Sequence, residues 1–341
     1  MRRGRRARTP PRRAGIPGRR RRRRPAKVGR RCSSRRWYAR GRPGSRRRSV
    51  LAWVPKGAVR PRPAPHRTGP PPPRLVRTVR PVLVALALVG VLLLGPLGVI
   101  VTGEVDPTAT WRSGSRDSSG QAPLPADEPR AVVQVYAART VGWRGAFGVH
   151  TWIATKRSGA DAWTVSHVIG WRVFRGAGAV VTQSGAPDFR WFGAWPEKLV
   201  DLRGDGVDAT IDRIEAAVAA YPYPDTYRAW PGPNSNTFTA FVARQVPELR
   251  LDLPPNAIGK DWLPGTIVAA TPSGTGWQLS LAGLLGVAVG IEEGLEFNLL
   301  GLSVGVDAND FALRLPGFGR VGPGVGSGPP GVGTAEAAAP R

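Results

Sequence analysis

One unbroken run of uncharged, mostly apolar residues extends from Val82 to Val101. In a helix that rises about 1.5 Å per residue, such a run spans the hydrocarbon core of a bilayer. Arginines precede it, and Glu104 and Asp106 follow it. The positive-inside rule therefore predicts a single-pass anchor in the inner (cytoplasmic) membrane, with lipid as its partner and the C-terminal domain outside the cytoplasm. A cleaved signal peptide is the alternative, although no small-x-small cleavage site follows the run.

Beyond a polar linker at 102–130, short apolar runs rich in β-branched and aromatic residues predict strands. They occupy 131–137, 148–155, 163–171 and 173–183. Periods of three and four residues predict two helices, at 208–220 and from Asn234 to Val246. Two glycine-punctuated apolar pieces, 277–289 and 295–306, predict a hairpin, because Glu292, Glu293 and Glu296 argue against a second membrane span. The predicted fold class of residues 131–320 is α+β: an antiparallel β-sheet with helices packed on it.

Charge divides the chain sharply. Residues 1–80 carry 30 of the 50 Lys and Arg residues and no acidic residue, whereas the rest has 20 basic and 23 acidic side chains. Three interpretations of this tail stay open: an arm for nucleic acid or anionic lipid, a disordered cytoplasmic tail, or a mis-annotated gene start. No nucleic-acid partner is expected for the mildly acidic folded domain. Residues 321–341 read as a disordered Gly/Pro/Ala tail.

The candidate chemistry begins with two histidines on neighbouring predicted strands. A turn centred between Ser158 and Gly159 makes His150 and His167 cross-strand partners, with side chains about 5 Å apart. The single cysteine, Cys32, lies in the basic tail, so the folded domain has no thiolate nucleophile. We expect no cofactor and no metal, because no third ligand accompanies the histidines.

The third element of the candidate site is the segment Pro231-Gly-Pro-Asn-Ser-Asn-Thr-Phe238. Ser235 stands at a predicted helix N-terminus, where free backbone N–H groups favour an anion. It could act as a nucleophile with His150 as base and His167 as the residue that orients it, while Asn234, Asn236 and Thr237 form an oxyanion loop. A helix N-cap and core histidines are the structural alternatives.

Arginines next to tryptophans suit an anion or sugar site, and packing of Arg on Trp is the structural alternative. The candidate binding residues are Trp143, Arg144, Trp152, Arg190 and Trp191.

From Ala131 to about Gly319 the chain resembles a bacterial family catalogued as a domain of unknown function, DUF3750. The runs Val-Gln-Val-Tyr-Ala-Ala-Arg-Thr, Val-His-Thr-Trp-Ile-Ala, Trp-Pro-Gly-Pro-Asn-Ser-Asn-Thr-Phe and Ala-Ile-Gly-Lys-Asp carry this resemblance. The family name implies no activity.

The chain is also similar to circularly permuted papain-like proteins of the NlpC-type and lecithin–retinol acyltransferase-like group. In that group a strand histidine, a second polar residue on the next strand and an Asn-Cys-x-x-Phe-like helix start follow in order. His150, His167 and Asn234 to Phe238 keep this order, but Ser235 stands at the position of the cysteine. The similarity implies a papain-like arrangement and an acyl hydrolase or transferase that acts on a cell-wall peptide or lipid. Because serine is the poorer nucleophile, a non-catalytic envelope binding or scaffold module is the alternative.

Overall fold

A computed structural model of the chain describes residues 74–112 and 114–323. The predicted basic tail, except its last seven residues, and most of the predicted C-terminal tail lie outside these residues.

The predicted apolar segment forms the end of a longer helix, α1 (Arg74–Val101). Its part from Arg80 to Val101 has a mean hydropathy of 2.7, and among the described residues it is the one helix long and apolar enough to cross a membrane. Most of its apolar side chains are exposed, Leu86 and Leu94 among them. A signal sequence passes the same test of length and composition, so both interpretations of this segment stay open.

An antiparallel sheet of five strands forms the centre of the structure, in the order β4-β3-β2-β1-β5. Helices α3 and α4 pack on one face of it, over a core that includes Val135, Ile153, Ile211 and Phe238. The predicted α+β class is therefore confirmed. The strands are β1 (Val132–Arg139), β2 (Val149–Lys156), β3 (Thr164–Val168), β4 (Val180–Ser184) and β5 (Glu197–Arg203), and the helices are α2 (Gly170–Val173), α3 (Val207–Ala219) and α4 (Ser235–Gln245).

The predicted register of the histidine hairpin is wrong by two residues. Ala154 pairs with Val165 rather than with Trp163, because the turn is centred one position later than predicted. Side chains alternate between the faces of a strand with a period of two, so a shift of two leaves every side chain on its predicted face. His150 and His167 therefore still share a face, as diagonal neighbours.

A second antiparallel sheet follows the first. It has seven strands in sequential order, and the two pieces predicted as one hairpin form four of them, β7 to β10. The prediction stopped short because each strand has only three to six residues and is separated from the next by glycine turns. The strands are β6 (Val268–Ala270), β7 (Gly276–Leu281), β8 (Leu285–Gly290), β9 (Gly294–Leu299), β10 (Leu302–Asp307), β11 (Ala312–Leu315) and β12 (Gly319–Val321).

The segment predicted as a polar linker is in part an ordered cover for the first sheet. Asp188 accepts hydrogen bonds from the Ser118 hydroxyl (2.7 Å), the Ser119 hydroxyl (3.2 Å) and the Gln121 backbone N–H. These bonds hold the segment over the sheet face opposite α3 and α4, where Trp152 and Trp163 form a second core. The serines and glycines of this segment are typical of a spacer. Its order comes from hydrogen bonds to one buried aspartate that lies 70 residues further along the chain.

Candidate functional site

A cleft of about 1250 Å³ opens at the N-terminal end of β2. It lies between the chain that follows α1, the β3–α2 corner, the N-terminus of α4 and the β9–β10 turn. Its walls are mainly apolar and aromatic. They include Trp143, Phe147, Trp171, Trp191, Phe192 and Tyr227.

The histidine pair lies at one side of this cleft. His150 lines it, and its Nε2 is 3.1 Å from Nδ1 of His167. The His150 ring stacks on Trp191 with 3.6 Å between centroids. The predicted proximity of the two histidines is confirmed, whereas their catalytic roles stay predictions.

Burial keeps both histidines neutral. It lowers the pKa of His150 well below the ordinary value, and the charges of His167 and Arg116 lower it further. Burial, with the charges of Arg116 and Arg172, lowers the pKa of His167 to about 3. Nε2 of His167 is buried without a hydrogen-bond partner among the described residues. Only one nitrogen of the 3.1 Å pair can donate, so the tautomer decides what His150 offers to the cleft.

Ser235 and His150 approach the cleft from opposite faces of the first sheet. Next to His150, the Thr151 side chain points the other way and its Oγ1 donates to Asn236 Oδ1 of α4 (3.0 Å). Ser235 lines the cleft at the start of that helix. Its hydroxyl forms no hydrogen bond with His150 or with any other described residue. The predicted nucleophile and base are thus in one cleft but are not paired.

The predicted oxyanion loop is a capping box. The backbone N–H groups of Asn236 and Thr237 both donate to Asn234 Oδ1, at 2.9 and 3.1 Å. The Asn236 amide donates to the carbonyls of Val149 and Ile258, and the Thr237 hydroxyl donates to the carbonyl of Gly259. Of this loop, only the Ser235 backbone N–H remains for an oxyanion. The motif that carries the family resemblance therefore mainly fixes α4 to β2 and to the loop at 256–260.

The candidate binding residues fall into two groups. Trp143, Arg144 and Trp191 line the cleft, with the Arg144 guanidinium 4.7 Å from the Trp143 ring centre. Trp152 and Arg190 do not line it. Trp152 is fully buried between Tyr136 and Phe189, and Arg190 packs on Trp195. The prediction that Trp152 contacts a ligand is wrong, because its strong β-strand context buries it.

Arg116 lines the cleft from the segment predicted as a linker, and no pattern in the sequence singles it out. Its guanidinium carbon lies over three aromatic rings, 4.1 Å from Phe192, 5.2 Å from Trp191 and 5.7 Å from Trp171. It forms no ion pair or hydrogen bond with the described part of the chain. Burial lowers its pKa. Its position could not be predicted because it depends on the docking of residues 115–122.

Among residues 74–112 and 114–323, no three His, Cys, Asp or Glu side chains come together as a metal site requires.

The model of a family described as "Protein of unknown function (DUF3750)" matches residues 130–262. Residues 130–262 are thus similar to this family. The match confirms the family resemblance, and it includes the first sheet, α3, α4 and the histidine pair but not the seven-stranded sheet. Neither a curated protein nor a solved structure matches the chain, so the papain-like arrangement stays a prediction.

Proposed function

We propose that this protein is a membrane-anchored envelope protein whose cleft binds an anionic amphiphile, with the apolar chain inside and the anionic head at Arg116. The observation that carries the proposal is an arginine stacked on three aromatic rings of an apolar cleft, with no carboxylate beside it among the described residues. The proposed class is the binding module rather than the enzyme.

The shape and lining of the cleft support an apolar chain. Ligand pockets commonly measure about 300 to 1,000 Å³ and are lined by apolar and aromatic side chains with a few polar groups. This cleft is larger, at about 1250 Å³. Phe147, Trp171 and Phe192 can pack on a flexible hydrocarbon chain, which has no hydrogen-bonding groups to satisfy. The polar groups of the lining are few and lie apart from these rings, so they suit one polar head rather than the repeated hydrogen bonds of a peptide backbone.

The arginines of the cleft support an anionic head. Arg116 and Arg144 both rest on aromatic faces, and neither side chain has an acidic partner within the described residues. Both side chains are exposed where they border the cleft, and an unpaired guanidinium binds a carboxylate or phosphate because it can offer two parallel N–H donors.

The histidine pair supports binding rather than catalysis. A base at His150 needs an unprotonated Nδ1, so its Nε2–H must donate to His167. The second proton of the pair then lies on Nε2 of His167, which is buried without an acceptor. In the other tautomer that atom carries only a lone pair. Orphaned buried N–H groups are rarer than orphaned acceptors, so the second tautomer is favoured. It makes His150 Nδ1–H a hydrogen-bond donor for a ligand oxygen.

The chain after α1 supports a ligand drawn from the membrane. Pro107, Ala109 and Trp111 line the cleft within ten residues of the end of α1 at Val101. If α1 is the anchor, the cleft opens close to the membrane surface, where amphiphiles are concentrated.

The test measures binding of a dansyl-labelled fatty acid and its methyl ester to the full chain in amphipol. Arg116→Gln should weaken binding of the acid about tenfold or more and leave the ester nearly unchanged, as expected for one charged hydrogen-bonding contact. Trp171→Ala should weaken binding of both probes. Arg157→Gln is the matched control, because Arg157 pairs with Asp212 and Glu215 on the surface, away from the cleft. Absence of binding, or an equal loss for acid and ester in Arg116→Gln, would refute the proposal.

A second candidate function is acyl transfer on a permuted papain-like arrangement. The observation that favours it is the Ser235 hydroxyl, which has no hydrogen bond among the described residues and lies in the cleft at a helix N-terminus. Ser235 Oγ would attack the acyl carbon while its proton passes to Nδ1 of His150, and His167 would orient the imidazole. The acyl–oxygen or acyl–nitrogen bond to the leaving group would break, and that group would take up the proton. Water or a second acceptor would then release the acyl group.

Labelling by a fluorophosphonate tests this second candidate. The wild-type chain should be labelled, Ser235→Ala should not be, and His150→Gln should be labelled more slowly. Ser158→Ala is the control, since that serine is bonded to Asp208 outside the cleft. Labelling that persists unchanged in Ser235→Ala would exclude the candidate.

A further inference from the structure

The seven-stranded sheet has its polar face inside and its apolar face outside. Gln278, Glu296 and Arg314 point inward and are buried. Between them, on the other face, Trp277 is 70% exposed and Phe297 is 53% exposed. A soluble domain normally presents the reverse pattern, so the outward face needs an explanation.

The outward apolar residues are continuous across the whole sheet. In the paired registers, one row crosses all seven strands without a polar residue. A second row beside it contains Leu279, Val287 and Phe297. The first row is Ala270, Trp277, Val289, Leu295, Val306, Leu313 and Val321. We call this surface the outer apolar face.

Ion pairs keep the polar face of the sheet inside, so the outer apolar face cannot turn inward in its place. Arg314 is fully buried and forms two hydrogen bonds with Asp252, at 2.6 and 2.8 Å, and one with Glu296 at 2.8 Å. Lys260 Nζ is bonded to Asp261 and to Glu296. Turning the sheet over would bury the apolar rows and leave these charges without partners, at a large cost. The exposure of the outer apolar face is thus built into the fold.

A contact with α1 indicates what covers this face. The β11–β12 turn packs against two glycines of α1, where a side chain at Gly95 would collide with the Pro316 carbonyl and one at Gly98 with the Phe318 ring. At about 1.5 Å per residue, Gly95 lies about 9 Å before the end of the apolar helix at Val101. If α1 spans the membrane, this end of the sheet is already below the surface of the apolar layer.

We propose that the outer apolar face lies on the membrane and buries its side chains in the outer leaflet beside α1. The edge strands β6 and β12 have three residues each, so the unpaired backbone groups of the edges are few and can stay at the polar interface. The face goes beyond the proposed ligand cleft, and the choice of the membrane as its cover rests on the proposed anchoring of α1.

The test places a fluorescent NBD probe at single cysteines of the full chain in lipid vesicles, in a Cys32→Ser background. Phe297→Cys reports the outer apolar face, Leu88→Cys reports α1, and Asp212→Cys on α3 is the exposed control. We expect brominated lipids to quench the probes at 297 and 88 but not at 212, and aqueous iodide to quench the probe at 212 alone.

Iodide quenching at 297 as strong as at 212 would overturn the inference. Protection at 297 without lipid quenching would also overturn it, and disulfide formation between unlabelled Phe297→Cys copies would then show that a second copy covers the face. The probe at 88 separates the two proposals. Lipid quenching at 88 but not at 297 leaves the anchor standing and removes the docking face, whereas loss of quenching at 88 alone removes the anchor.

Discussion

Arg314 offers the sharpest test of how the seven-stranded sheet is held to the segment at 252–261. Its side chain is fully buried and donates four hydrogen bonds, two to Asp252, one to Glu296 and one to the Leu253 carbonyl (2.7 Å). Arg314→Met keeps much of the volume and removes the charge. Breaking a buried ion pair by removing one partner costs about 3 to 5 kcal/mol, because the other charge stays buried.

The structure places the expected loss at the lower end of that range. Glu296 keeps Lys260 as a partner, and Asp252 keeps Arg320 at 3.7 Å. We therefore expect a loss of about 3 kcal/mol in the free energy of unfolding. For a domain of this size the midpoint of thermal unfolding falls by roughly 2 to 4 °C per kcal/mol, which gives a drop of roughly 6 to 12 °C.

The assay is thermal unfolding of the full chain, followed by tryptophan fluorescence. The control is Arg157→Met, which removes an exposed arginine that also pairs with two carboxylates and should cost less than about 1 kcal/mol. Asp252→Asn combined with Arg314→Met should cost less than the two single losses added together. A drop for Arg314→Met no larger than for the control would refute the reasoning that these ionic contacts hold the second sheet to the segment at 252–261.

Three further outcomes follow from the first sheet and α4. Burial lowers the pKa of both histidines, that of His167 to about 3, so below pH 6.5 the unfolded chain takes up protons that the folded chain does not. Stability is therefore complete above pH 6.5 and should fall on acidification by about 1.4 kcal/mol per pH unit for each histidine. Thermal midpoints of His150→Gln/His167→Gln should lose this slope between pH 6.5 and 5, and an unchanged slope would contradict it. Asn234→Ala removes the acceptor of the α4 capping box and the amide that donates to the Ala229 and Ile258 carbonyls, so it should cost more than about 1 kcal/mol in urea unfolding, with Asn234→Ser recovering only the capping part. Gly259→Ala should cost more than about 1 kcal/mol in the same measurement, because Gly259 has a φ of 101° and its added Cβ would meet the Asn234 side chain; an effect within error would show that the loop relaxes freely.

Local pattern was sufficient for the elements of the first sheet. The apolar runs rich in β-branched and aromatic residues around Val135 and Ile153, and the helical period around Ile211 and Ile214, predict β1, β2 and α3 within one or two residues of their observed bounds. The shared face of His150 and His167 could also be predicted, because it depends only on parity and survives a register shift of two.

Contacts between distant residues were beyond the reach of local pattern. The cover formed by residues 115–122 depends on Asp188, and Arg116 enters the cleft only through that docking. The separation of Ser235 from His150 has the same origin. Two side chains can follow each other in a familiar order and still lie on opposite faces of a sheet, because the order says nothing about which face a helix covers.

The seven-stranded sheet shows the limit of binary patterning most clearly. Alternation in β7 and β9 predicts one apolar and one polar face, and the usual inference places the apolar face in the core. Here the polar face is inside, because charged side chains of the segment between α4 and β6 pair with it. They are Asp252, Lys260 and Asp261. The pattern is the same in both arrangements, so only the partners decide between them. The described residues leave the outer apolar face exposed, and the nearest apolar phase is the membrane core that α1 would occupy.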